Sequence, residues 1–117
     1  MKDSEKFNLN IEMAKISDFV FDPNKDEWQP KNGTQFYNSV TLPFIDSIDA
    51  LLKWPVPRRN IVGINFRFLP GGCECVVTYQ DKGGFGKETA WIGHRTNNES
   101  TSRELAPLAL CRAIKQI

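Results

Sequence analysis

The chain has one histidine, two methionines and three cysteines among 117 residues, and no apolar run longer than a few residues. Each scarcity closes a class of function. Crossing a bilayer takes roughly 20 consecutive apolar residues, so no membrane span is predicted. The N-terminal Met1-Lys2-Asp3-Ser4-Glu5-Lys6 is mixed in charge and has no apolar core behind it, so no signal peptide is read there. A general base needs a group that orients it and a reacting group in reach. The single His94 has no serine or cysteine motif beside it. The acidic pairs Asp46/Asp49 and Asp22/Asp26 read as cap and loop residues rather than as paired acid and base. No enzyme is expected.

Cysteine use points the same way. Cys73, Cys75 and Cys111 are odd in number, and the first two are separated by one residue. On a strand such neighbours lie about 6.5–7 Å apart, too far for good disulfide geometry. Zinc would need four ligands, usually with two to four residues between paired cysteines, and Cys73-x-Cys75 with His94 and Cys111 has the wrong spacing. Free core thiols in a reducing, cytoplasmic compartment are the expectation. No metal or other cofactor is expected.

No sign of charge dominates. The formal net charge is +1, and the pI of about 7.7 is well below the value above 9 usual for a nucleic-acid-binding domain. Nucleic acid is therefore not the expected partner. The balance hides an asymmetry: residues 1–50 carry five Lys/Arg against nine Asp/Glu, and residues 51–117 carry ten against five. Either the halves attract each other within the fold, or a basic face meets an acidic partner.

What is present describes one α+β domain over residues 1–117. Hydrophobic residues at 40% and charged residues at 25% suit a packed core and argue against disorder. Leu9, Met13, Ile16 and Val20 form a helical stripe, with Asn8 or Asn10 as its cap and Pro23 as its stop. Residues 22–43 read as an irregular connection with a short extended piece at 35–40. Trp28, Phe36 and Tyr37 pin it to the domain. Asp46 or Ser47 caps a second helix with Ile48, Leu51 and Leu52 inside, ended by Trp54 before Pro55. Pro55 to Asn60 is a stiff basic turn.

Strands follow. Val62, Ile64, Phe66 and Phe68 alternate with polar or small residues over 61–69. Pro70-Gly71-Gly72 turns into a strand over 73–80, a glycine loop covers 81–86, and a third strand covers 87–94. Short links favour an antiparallel meander of three to four strands packed with helices, in the order α-α-β-β-β-α. Residues 95–101 form a polar link. The Thr101 to Glu104 stretch fits a capping box. Pro107 moves the start of the last helix to about residue 104, since proline is tolerated only in the first turn. Leu105, Ala106, Ala109, Leu110, Ala113, Ile114 and Ile117 form its inner stripe.

Two segments carry a resemblance. Leu42-Pro43-Phe44-Ile45-Asp46-Ser47-Ile48-Asp49-Ala50-Leu51 and Ala106-Pro107-Leu108-Ala109-Leu110-Cys111-Arg112-Ala113 flank the strands. In that order they resemble the phage ABA-sandwich domain, over residues 42–117, with 1–41 as an N-terminal extension. The resemblance implies a sheet sandwiched with helices and a bacteriophage or prophage origin. It transfers no catalytic residue.

The glycine loop from Asp81 to Lys87 lacks the following helix that a phosphate-cradling loop requires, so it reads as a hairpin loop. The remaining candidate binding residues are basic and aromatic: Lys53, Trp54, Arg58, Arg59, Arg67, Lys82 and Lys87. Arg and Trp dominate interface energetics. The expected function is a small phage accessory protein that binds a host protein with an acidic surface, with blocking of a defence system as one outcome. The alternatives are capture of a nucleotide-like ligand between subunits of a homo-oligomer, through Arg58, Arg59 and the Gly83–Lys87 loop, and a plain interaction domain.

Overall fold

The computed structural model describes residues 2–93 and 103–117. Helix α1 (Asp3–Ile16) has Asp3 and Glu5 in its first turn, where carboxylates suit the helix dipole. It buries Leu9, Asn10, Met13 and Ala14. The periodicity located this face, but the helix starts six residues before Leu9 and stops four short of Val20. Asn8 and Asn10 are interior residues of α1, not caps. Asn10 is buried, donating to Leu42 O at 2.7 Å and accepting from Ile45 N–H at 3.1 Å. One side chain thus ties α1 to the segment that leads into the next helix.

The stretch expected to be irregular contains a two-stranded sheet. Strands β1 (Val20–Asp22) and β2 (Glu27–Gln29) pair antiparallel, with Phe21 opposite Trp28. Tyr37 bridges to Trp28 through two backbone hydrogen bonds. This bridge is all that forms of the extended piece expected over 35–40. Trp28 is buried and Tyr37 half-buried, whereas Phe36 is 58% exposed. Neighbours on an extended chain point to opposite sides, so Tyr37 and Phe36 cannot both face the core.

Helix α2 (Ile48–Lys53) starts at Ser47, whose hydroxyl accepts from Ala50 N–H at 3.1 Å. Its inner residues are Ala50 and Leu51, while Leu52, expected inside, is 45% exposed. The stiff basic turn is a single helical turn, α3 (Pro55–Arg58). Proline at its start needs no amide hydrogen.

Strands β3 (Ile61–Leu69), β4 (Gly72–Asp81) and β5 (Gly84–Gly93) form the expected antiparallel meander in that order. A register shift between Ile61 and Gly63 turns Val62 outward, contrary to simple alternation. The glycine loop contracts to a two-residue turn at Lys82-Gly83, because Asp81 pairs with Gly84 and the following glycines belong to β5. Gly84, at φ 122°, supplies the positive φ just after the turn. Gly86 is covered by the Tyr79 ring, and Gly72 by the Trp91 indole.

After a short 3-10 turn (Arg103–Leu105), helix α4 (Ala106–Lys115) carries Pro107 in its first turn. Its start is one or two residues later than expected. The Thr101–Glu104 box, the polar link over 95–101 and His94 fall wholly or partly outside the described residues. Leu105 caps α4 without a side-chain bond. Ala109, Leu110, Cys111, Ala113 and Ile114 are completely buried. They pack with Cys73, Cys75, Val77, Ala90 and Ile92 on one face of the meander. The opposite face holds Asn65, Arg67, Glu74, Lys87 and Trp91, exposed or half-exposed. Arg112 closes the end of the layer, donating to Trp91 O and to Glu5 Oε2, each at 3.1 Å.

Two substitutions test this frame. A Cβ at Gly72 would stand 2.4 Å from both Ile92 O and the Trp91 ring, so Gly72→Ala should lower unfolding free energy by about 2–3 kcal/mol in urea titration. Asn10→Ala strands a buried carbonyl and a partly buried amide, and should cost about 2 kcal/mol in the same measurement.

Candidate functional site

Four aromatic side chains from distant segments pack together behind the site, and Trp54 alone of them reaches its lining. Phe19, Tyr37, Phe44 and Trp54 have ring centroids 5.2–6.5 Å apart, with Trp54 edge-on to the other three. Trp54 is held at the α2–α3 junction because the residue before proline leaves the regular helix. The Lys53 ammonium lies 4.7 Å from the centre of its ring.

Beside this aromatic group is a hollow of about 480 Å³. Its rim brings together Lys53, Trp54 and Arg58 from α2–α3 with Lys31 and the 32–35 loop that follows β2. A second, more open hollow of about 570 Å³ adjoins it, lined by Arg58, Arg59, Tyr79 and Lys82. Arg58 belongs to both. Five exposed cations, Lys31, Lys53, Arg58, Arg59 and Lys82, therefore line two neighbouring depressions. Asp81 lines the second hollow, its Oδ1 accepting from Gly83 N–H at 2.8 Å; Asp18 lines neither hollow but lies 3.1 Å from Arg58.

Of the residues expected to bind, Lys53, Trp54, Arg58, Arg59 and Lys82 are brought into this band. Arg67 and Lys87 are not. They stand on the exposed face of the meander, Arg67 beside Glu74 at 3.6 Å and Lys87 paired with Thr78. Lys31, Asp18 and Tyr79 were absent from the expectation. Lys31 had one visible signal, a cation inside the Pro30 to Gly33 turn. Asp18 and Tyr79 had none, since long-range packing alone sets their proximity to the band.

The thiols are core groups. Cys73, Cys75 and Cys111 are all free and buried. Burial, with Cys73 adding to it, pushes Cys75 up to about 12. Burial raises Cys73 as well, helped by Glu74, and raises Cys111 most strongly. A thiol that holds its proton is a poor nucleophile and metal ligand. Among the described residues no three His, Cys, Asp or Glu side chains cluster as metal ligands do, and no helix is long and apolar enough to cross a membrane.

Comparison with known proteins returns no match to a family model, a curated protein or a solved structure.

The thiols predict a pH dependence. Their pKa values are raised in the folded state, so above about pH 9 the unfolded chain loses these protons first. The stability they contribute is complete below about pH 9 and is lost as pH rises toward about 12. Thermal melts should show a falling midpoint across that window, and Cys75→Ala should flatten the slope.

Proposed function

We propose that this chain is a binding protein whose basic band docks an acidic segment of a partner protein. The observation that carries this reading is the joining of two hollows at Arg58, which extends five cations over more surface than one small ligand would cover. The aromatic group supports it by holding α2–α3 rigidly, so that little is lost in ordering the surface on docking. Exposed lysines keep their mobility, but Lys53 is already laid over the Trp54 ring. In the phage setting that residues 42–51 and 106–113 resemble, the partner is a protein of the bacterial host, and the docking blocks or redirects its work.

A second reading, a nucleotide-like ligand, has one observation in its favour. The first hollow lies within the roughly 300–1,000 Å³ range of ligand pockets. Against it, the Trp54 face that a base would stack on is next to the Lys53 ammonium. Of the Gly83–Lys87 stretch, Gly84–Lys87 is strand and Gly83 belongs to a tight hairpin turn, so it does not form a phosphate loop.

Titration of an oligo-glutamate peptide into the protein tests the choice. Binding should weaken steeply with added salt, as association between exposed charges does. The Lys53→Glu, Arg58→Glu double variant should lose about tenfold or more in affinity. A nucleotide panel that raises the melting temperature while the peptide does not bind would replace the first reading with the second.

A further inference from the structure

Asp18 is a carboxylate in a place that local physics disfavours twice. Helix α1 ends in a Schellman arrangement: Phe19 N–H donates to Ala14 O at 3.0 Å and Asp18 N–H to Lys15 O at 3.1 Å. This sets Asp18 at φ 60°, the left-handed region where glycine is comfortable and asparagine is next best. It also places the carboxylate at the negative end of the helix dipole, where it is repelled. Its recorded ion pair is with Arg58, Oδ2 to Nη1, and the two side chains are 52% and 49% exposed. An ion pair that exposed contributes too little to offset both penalties. The stability of the fold therefore gives no reason for an acid at residue 18.

The identity of its partner supplies one. Arg58 is the cation common to both hollows, and the Asp18 carboxylate occupies it. We propose that Asp18 is an internal competitor of the acidic ligand, holding the Arg58 guanidinium until a carboxylate of the partner displaces it. The inference rests on reading the band as a site for an acidic segment, and it sharpens that reading. A single carboxylate only exchanges one exposed pair for another, with no net gain at Arg58. A run of carboxylates that also reaches Lys31, Lys53, Arg59 and Lys82 does gain, because the later contacts follow at high effective concentration. The device selects extended, multiply acidic segments over isolated acids, by placing a cost against the wrong ligand.

Asp18→Asn removes the competing charge while keeping a residue that the left-handed position accepts, so the variant folds. The test is its affinity for oligo-glutamate peptide at low salt beside the native chain, with Arg58→Gln and the double variant completing the cycle. Asp18→Asn should bind roughly two- to fivefold more tightly, the size of one exposed charge pair. In the Arg58→Gln background the same change should gain nothing. Native binding with an unchanged or weakened Asp18→Asn overturns the competitor. An equal gain with and without Arg58 overturns it too, because the effect would then be general charge. If the native chain and Asp18→Asn both fail to bind the peptide, the acidic-segment reading of the band falls and takes this inference with it.

Discussion

Everything in this fold depends on how closely α4 lies on one face of the meander. Ala109 and Ala113, with the small thiol of Cys111, share with Leu110 and Ile114 the fully buried side of the helix that packs with Cys75, Val77 and Ala90. Dispersion and burial both scale with that contact, since interiors pack as densely as organic crystals. The choice of cysteine follows from the same constraint. A thiol is small and weakly polar, and it tolerates a dry site in which its proton is retained.

A second, polar constraint fixes what the packing alone leaves loose. The Asn10 amide satisfies a carbonyl and an amide on the chain entering α2. This sets the height of α2–α3 against α1. The aromatic group of Phe19, Tyr37, Phe44 and Trp54 then locks the angle, because edge-on rings resist sliding. The basic band stands on this junction. Its cations are exposed, while Trp54 between them is packed edge-on into the aromatic group. Such a surface suits recognition by charge with a small entropic loss. The acid at the end of α1 adds an exposed ion pair with Arg58 at the edge of the band.

Much of the fold was legible. The strand over Ile61–Leu69, the antiparallel meander and a cap at Asp46 or Ser47, which the fold resolves to Ser47, follow from alternation, short turns and capping chemistry, all of which act over a few residues. Pro107 put the start of the terminal helix near residue 104, one or two residues before where it begins at Ala106. The misreadings share one cause. Val62 and Leu52 face outward because a register shift and a very short helix break the regular period. Asn10 looked like a cap, since a buried amide gives the same signal as an exposed one until its partners some thirty residues away are known. The site was half legible: basic residues near Trp54 stand out in the sequence, whereas the contributions of Lys31 and Asp18 depend on chain reversals between residues 17 and 54.

By itself the sequence determined the α+β class, the order of the main helices and strands, the buried free thiols and the existence of a basic, aromatic segment at 53–59. These are local matters of periodicity, turn chemistry and composition. Only the tertiary structure decided that Lys87 and Arg67 stand apart from that segment while Lys31 and Lys82 join it, and that Asp18 meets Arg58. Charges have no period along the chain, and their neighbours are chosen by how apolar faces pack.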